Sequence, residues 1–463
     1  MNRRDFLKAL GGGAAAMAAA AAGCDRPAGG ESLLAPSDAP APGTMTYRKD
    51  AHGEPVSIIG YGCMRLPTVD GEKGAPYDQE EVNRHVDYAL QHGINYFDTA
   101  PVYCKGQSEG IMGQALSRHP RHTYKIATKM SNVRDTSRAA SLAMYRNSLK
   151  QLHTGYLDYY LLHSIGGGDD PLAFFNARFM DNGLLDFLME ERKEGRIRNL
   201  GFSFHGAQSL FDHALALHDK VHWDFVQIEM NYVDWNHAHE LTEENVNAKY
   251  LYEELDRRGI PVIVMEPLLG GQLANSNGQF TDHTVRMLKQ REPQMSIASW
   301  AFRFCGTFPR VLTALSGMTY MENLQENVRT CSPLKPLSEE ELAMLEEIAQ
   351  VFVSFHNVPC TTCQYCMPCP YGIDIPANFV FYNKALNAGN VNPDRQSAAY
   401  RKARRAFLVG YDRAVPPQRQ ASHCIGCGIC QRHCPQGIKI PEELAKIDAY
   451  VETLRINGKL QEI

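Results

Sequence analysis

The chain lacks an excess of charge of either sign: 47 Lys and Arg stand against 52 Asp and Glu, a net of −5 over 463 residues. A protein built mainly to bind nucleic acid carries a strong basic surplus, so this balance argues against that class. It also lacks a long apolar run. The most apolar stretch near its start, 10–22, is Ala/Gly-rich and shorter than the roughly 20 residues that a bilayer span needs. No G-x-G-x-x-G follows the first apolar segment, which leaves an open, doubly wound dinucleotide sheet without support. No flavin motif is visible. What is present is 44% hydrophobic residues with 9% aromatic, enough for a packed core. Thirteen cysteines are the unusual count. Cys24, Cys63, Cys104, Cys305 and Cys331 are scattered, and the others lie between Cys360 and Cys434. A chain this long does not need disulfide staples, so clustered thiols point to metal.

The chain opens Met1-Asn2-Arg3-Arg4-Asp5-Phe6-Leu7-Lys8, and the paired arginines resemble a twin-arginine export signal. Basic residues, a weakly apolar stretch and small residues before a cleavage point fit a removable segment over 1–24. Two endings stand. Ala20-Ala21-Ala22 is a small-residue cleavage site, and Ala21-Ala22-Gly23-Cys24 resembles a lipobox in which Cys24 carries a lipid anchor. The Pro, Gly, Ala and Ser of 25–44 read as a flexible tether. The expected location is therefore outside the cytoplasmic membrane, periplasmic or anchored on its outer face.

From 45 the pattern becomes regular. Short apolar runs at 57–62, 95–99, 125–128, 157–162, 199–203, 225–230, 262–265 and 311–315 alternate with helical periodicity at 80–92, 139–152, 183–193, 207–218, 249–258, 296–304 and 323–328. Such alternation means parallel strands joined by crossovers, and eight units predict a closed (β/α)8 TIM barrel over 45–335. Residues 46–48 and 55–56 read as a hairpin closing the bottom of the barrel.

Active sites of these barrels sit at the carboxyl ends of the strands. Asp98, Lys129 and His163 fall there, and Tyr103 lies in the loop after Asp98. Together they permit carbonyl reduction. A phenol with an ordinary pKa near 10 is a sluggish acid at neutral pH, and a neighbouring ammonium lowers it. Tyr103 is then the general acid, Lys129 its tuner, Asp98 the lysine's partner, and His163 the donor that orients the carbonyl oxygen. Asp98-Thr99-Ala100-Pro101-Val102-Tyr103, with Ser108-Glu109 and Gly113, resembles the aldo-keto reductase signature. The resemblance, over about 45–330, implies a (β/α)8 barrel, NADP or NAD as cofactor, a small carbonyl or alcohol substrate, and this tetrad. It also implies Ser203 and Gln227 at the nicotinamide amide, and Gly317, Met318, Thr319, Asn323, Glu326 and Asn327 at phosphate and adenosine. A glycine opening a helix suits a pyrophosphate. The chain departs from the family at Phe204-His205, where Asn usually follows the serine, and at Met265-Glu266, where a stacking tyrosine often stands. No basic residue follows Gly317, which leaves the choice between NADP and NAD open.

Segment 336–463 reads as a second domain, entered by an acidic helix at 337–353 that is capped by Ser338 and closes the barrel. Cys360-x2-Cys363-x2-Cys366-x2-Cys369-Pro370 is followed by Cys424-x2-Cys427-x2-Cys430-x3-Cys434-Pro435, the spacing of bacterial ferredoxins. Isolated C-x2-C pairs would favour zinc; triplets ending in Cys-Pro favour iron–sulfur. The ferredoxin resemblance implies two [4Fe–4S] clusters with exchanged fourth ligands. One takes Cys360, Cys363, Cys366 and Cys434; the other takes Cys424, Cys427, Cys430 and Cys369. Gly372-Ile373-Asp374-Ile375-Pro376 and Gly437-Ile438-Lys439-Ile440-Pro441 echo one another, as a duplicated unit would. Seven basic residues between the motifs (Arg395, Arg401, Lys402, Arg404, Arg405, Arg413 and Arg419) form either a solvated helix face or a docking patch for an acidic redox partner. The whole reads as an exported iron–sulfur oxidoreductase of aldo-keto reductase type. The alternative is an electron-transfer or binding subunit whose barrel does not turn over.

Overall fold

A computed structural model describes residues 40–459 apart from 42, 72–73, 167–169, 244, 276–279 and 281. The signal at 1–24, Cys24, and most of the tether at 25–44 lie outside the described residues.

Eight parallel strands close into a barrel: β1 (Ile59–Gly62), β2 (Tyr96–Asp98), β3 (Lys125–Met130), β4 (Leu157–Ile165), β5 (Ile197–Phe204), β6 (Phe225–Glu229), β7 (Val262–Met265) and β8 (Val311–Ser316), with β8 pairing back to β1. The eight predicted runs are these strands. They are buried on both faces because helices cover the outside, which is why they read as unbroken apolar runs. Alternation along the strands sorts the side chains. Tyr96, Ala127, Tyr159, Leu161, Phe225, Ile263, Leu312 and Leu315 point inward and pack together, with the Tyr96 and Phe225 rings meeting Tyr159 edge-on at 4.9 and 5.1 Å. The bottom is shut by the antiparallel ribbon Tyr47–Lys49 and Pro55–Ser57, as expected; its Val56 joins the inner cluster. Asp50 in the ribbon's turn accepts a 2.8 Å bond from the Tyr159 hydroxyl.

The expected helices form with caps the sequence announces. Asp78 and Ser137 accept N–H bonds at the starts of Gln79–Gln91 and Arg138–Gln151. Ser338 and Glu341 make a reciprocal capping box at the start of Glu339–Ser354. That last helix packs Met344, Leu345, Ile348, Ala349 and Phe352 into the barrel's outer core. The barrel's outer core therefore continues through this helix. A second core begins at Val358, where helices Ile375–Asn387, Tyr400–Ala414 and Ile440–Lys459 pack around Phe379, Phe407, Tyr411 and Ile447. The two echoed segments play one role: Ile373 and Ile375, like Ile438 and Ile440, are buried as each starts a helix carrying proline in its first turn.

Helices at Ser108–Leu116, Asp234–Leu241 and Asp282–Arg291 were not foreseen. The first carries Gly110 and Gly113, which lower helix propensity and hide the pattern. A Cβ on Gly113 would stand 2.0 Å from the Gln151 carbonyl oxygen, so only glycine lets the two helices approach. We expect Gly113→Ala to destabilise the protein by about 1–3 kcal/mol, the overpacking cost exceeding the gain in helix propensity. Chemical denaturation measures this, and an unchanged midpoint would contradict the packing.

Candidate active site

The inward alternation of the strands continues upward into polar residues. Above Ala127 comes Lys129; above Tyr159 and Leu161 comes His163; above Tyr96 comes Asp98; above Phe225 comes Gln227. The site is thus the top layer of the barrel interior.

Lys129 is wholly buried. Its ammonium donates to Asp98 Oδ1 at 2.5 Å and to the Thr99 carbonyl at 2.9 Å, and lies 4.7 Å from the centre of the Tyr103 ring. Polar signature residues support this pair. Thr99 and Ser108 are hydrogen-bonded at 2.8 Å, Ser108 donates to the Cys63 carbonyl, and Thr128 donates to the buried Glu109. Tyr103 is buried beside His163, their rings 5.9 Å apart and edge-on. His163 Nδ1 lies 2.5 Å from Ser131 Oγ. When the Ser131 hydroxyl donates there, the imidazole proton sits on Nε2, the nitrogen left to meet a substrate oxygen. Buried Arg178 donates to the His163 and Ser164 carbonyls at 2.6 and 3.1 Å, fixing the strand end, and burial pushes its pKa down to about 9.

The structure brings the four tetrad residues together. It differs from expectation in the proton affinity of Tyr103. Burial, and then the Asp98 carboxylate, push the phenol well above its ordinary range, while a hydrogen bond with Tyr365 pulls the other way. Burial and the Asp98 carboxylate thus outweigh the lowering expected from Lys129. Burial, with help from Lys129 and Arg178, pushes His163 well below its ordinary range. Tyr103 is therefore a protonated phenol and His163 a neutral imidazole.

Of the residues assigned to the nucleotide, Ser203 and Gln227 are register partners on β5 and β6. Ser203 Oγ accepts the Ser164 N–H at 2.7 Å, which leaves its own hydrogen free to donate. Gln227 Nε2 approaches Met265 Sδ at 3.4 Å, and its buried Oε1 has no partner. Gly317 follows β8 and faces the Arg65 side chain, and Thr319 donates to the Arg65 carbonyl. Met318 is buried, and Asn323 is exposed. The Glu326 carbonyl accepts from Thr330, and the Asn327 amide turns inward to Ser316 Oγ.

The cysteine segment lies on this mouth. Arg65 donates to the Thr361 carbonyl at 2.6 Å and to Thr362 Oγ1 at 2.9 Å, and Gln272 reaches the Cys360 carbonyl. Gly270 touches the Thr361 backbone so closely that a Cβ would come within 2.5 Å of its Cα. From the second motif, Gln436 donates to Glu229 Oε1 at 2.5 Å, and His205 Nδ1 stands 3.3 Å from the same oxygen. The Glu266 carboxylate accepts the Gly270 N–H. So His205 and Glu266, the second residues of the Phe204-His205 and Met265-Glu266 pairs, stand beside contacts with the cysteine segment. Tyr365, between Cys363 and Cys366, reaches furthest: its hydroxyl lies beside that of Tyr103, and its ring lies edge-on to His163 at 6.4 Å. Sequence reasoning missed Tyr365, Ser131, Arg178 and Arg65. Only Tyr365 left a signal, as an aromatic inside a metal-binding spacing.

Cys360, Cys363, Cys366 and Cys434 line one cavity. Cys424, Cys427 and Cys369 are the charged-group neighbours of Cys430. Backbone N–H groups of Thr362, Tyr365 and Gly437 point at the sulfurs of Cys360, Cys363 and Cys434. Four sulfurs around a cavity, with amide donors aimed at them, fit an iron–sulfur cluster. Cys63, Cys104, Cys305 and Cys331 are buried in the barrel, and none of the twelve described cysteines forms a disulfide.

Residues 58–350 match the aldo/keto reductase family. The chain belongs to that family. Residues 359–439 match the 4Fe-4S dicluster domain. Similar aldo/keto reductase relatives include the uncharacterized oxidoreductase YqkF of Bacillus subtilis, 25% identical over 63% of this chain and 92% of its own length. The L-galactose dehydrogenase of Arabidopsis thaliana is 25% identical over 64% and 92%, and the NADH-specific methylglyoxal reductase of Escherichia coli is 26% identical over 56% and 84%. Among solved structures, the holo form of an aldo-keto reductase from Bacillus halodurans superposes with a TM-score of 0.50 at 22% identity, covering 66% of this chain and 96% of that one. An aldo-keto reductase from Klebsiella pneumoniae in complex with NADPH gives 0.50 at 23%, covering 66% and 95%. These structures share the barrel; the cysteine domain lies beyond the family match.

Because Tyr103 holds its proton and His163 remains neutral, kcat/KM for carbonyl reduction is expected to be flat from about pH 6 to about pH 9. An ionisation inside that window that moves on Ser131→Ala would show His163 titrating and contradict the assignment.

Proposed function

We propose that this aldo/keto reductase is an exported, iron–sulfur-linked enzyme that interconverts a small carbonyl and its alcohol, with Tyr103 exchanging the proton. One observation carries the reading: a buried Lys129–Asp98 pair lies under a buried Tyr103 whose neighbour is a neutral His163. In the reductive direction Tyr103 donates its proton to the carbonyl oxygen, and His163 Nε2–H hydrogen-bonds the same oxygen as charge develops there. Lys129 steadies the phenolate left behind, and Asp98 holds Lys129 in place.

A nicotinamide, NADP or NAD, would supply a hydride when bound. Ser203 offers a free hydroxyl hydrogen and Gln227 an unpartnered oxygen, a donor and an acceptor that suit a carboxamide. The two cysteine groups suit two [4Fe–4S] clusters, each exchanging one electron, held by Cys360, Cys363, Cys366 and Cys434 and by Cys424, Cys427, Cys430 and Cys369. Cys427 is exposed between exposed Ile425 and Ile429, which favours the second group as the entry point for a partner's electrons. Arg401, Lys402 and Arg405 are exposed on Tyr400–Ala414 and suit an acidic partner. Arg404 is engaged with the Leu454 carbonyl instead.

Tyr103→Phe is expected to retain its iron and lower carbonyl reduction at least about 100-fold. Equal rates with and without the phenol would overturn the proposal. Iron analysis should give about eight atoms per chain; about four would mean one cluster. Replacing Arg3 and Arg4 by Lys should keep the protein in the cytoplasm, and unchanged export would refute the twin-arginine route.

A further inference from the structure

Tyr365 belongs to the cysteine segment, yet its side chain ends inside the barrel's tetrad. Its ring stands edge-on to His163 at 6.4 Å and its hydroxyl lies beside that of Tyr103, the two groups that a substrate oxygen must reach on the proposed reading. An alcohol product would present the same chemistry, a hydroxyl at the Tyr103 oxygen. Tyr365 is firmly held in this place. Arg65 grips Thr361 and Thr362, Gly270 abuts Thr361, and Thr362 and Gln364 take left-handed backbone angles of 57° and 66° that aim the segment inward. The Tyr365 N–H also points at Cys363 Sγ, so the residue connects a sulfur to the tetrad.

We propose that Tyr365 is the access- and specificity-determining residue of the barrel site: its phenol occupies the position of the substrate oxygen, and a substrate reaches Tyr103 by displacing it and shifting the segment 360–366. This rests on the reading of the tetrad as catalytic and of the sulfurs as cluster ligands. A substrate must therefore outcompete a phenol already in place. The shift moves Cys363 and Cys366 together with Tyr365, so filling the site is felt at the first cysteine group. The barrel and the cysteine domain are then coupled by mechanical exchange of one side chain, whichever donor supplies the electrons.

Holoprotein with Tyr365→Phe and Tyr365→Ala tests this, with benzaldehyde as substrate and benzyl alcohol as the non-reacting probe of the reduced protein. KM for benzaldehyde should fall about three-fold on losing the hydroxyl and about ten-fold or more on losing the ring, the first matching the net worth of one hydrogen bond. Gly270→Ala, which pushes on Thr361 without touching Tyr365, should lower KM in the same direction and serves if the alanine variant fails to fold. The dithionite-reduced wild type should show a low-temperature electron paramagnetic resonance spectrum that changes on adding benzyl alcohol, and Tyr365→Ala should show none of that change. Unchanged or raised KM in the Phe and Gly270 variants, with iron intact, would overturn the proposal. A spectrum indifferent to benzyl alcohol in the wild type would also overturn it. Absence of any cluster signal in every variant would instead refute the cluster reading, and the KM comparison would still decide the role of Tyr365.

Discussion

A lysine with no solvent exposure is the constraint around which the site is built. An isolated ammonium in a barrel interior would lose its proton or open the fold, since removing a charge from water is expensive. Lys129 is bonded to Asp98 at 2.5 Å and to the Thr99 carbonyl, and Asp98 Oδ2 has no partner among the described residues. Such a pair survives only where the surroundings are rigid and water is excluded. Thr99, Ser108, Glu109 and Thr128 supply the rigidity from below. From above, Tyr103 and Tyr365 supply the cover. The cysteine domain thus forms part of the environment that makes the buried charge tolerable.

This explains where the chain parts from its family. Phe204-His205 and Met265-Glu266, where the expected family residues are missing, lie on the upper rim. His205 and Gln436 both approach Glu229, and Glu266 braces Gly270 against Thr361. The rim is shaped to seat a second domain. The domain's sulfur cavity consequently sits close to the tetrad, with Tyr365 as the shortest link between them.

Much of this was legible in the sequence because it rests on local periodicity. The strands are short apolar runs bounded by helices, and all eight read correctly. Asp98, Lys129 and His163 were legible because alternation places them on the inward face at a strand's upper end. The cysteine motifs were legible through spacing, and the Ile-Pro echoes through repetition. The helix Ser108–Leu116 was not, since its glycines serve close packing rather than helix propensity. The high proton affinity of Tyr103 was not, because it comes from burial and from the nearby Asp98 carboxylate, which outweigh Lys129. Tyr365 as part of the active site was out of reach for a further reason: 262 positions separate it from Tyr103 in the chain, and only the docking of two domains brings them together. Arg178 is similar, an arginine with no carboxylate partner among the described residues that holds the strand end bearing His163.

The first cysteine group lies against the Tyr103 phenol. Fluorine NMR of protein carrying 3-fluorotyrosine at position 103 tests it most directly, by comparing the clusters oxidised and reduced. A paramagnetic centre held by Cys363 and Cys366 beside Tyr365 should shift and broaden that resonance on reduction far more than the resonance of a fluorotyrosine placed at Tyr47 on the barrel's bottom ribbon. Equal, unperturbed lines at both positions would contradict the account, because the cluster domain would then be working apart from the barrel.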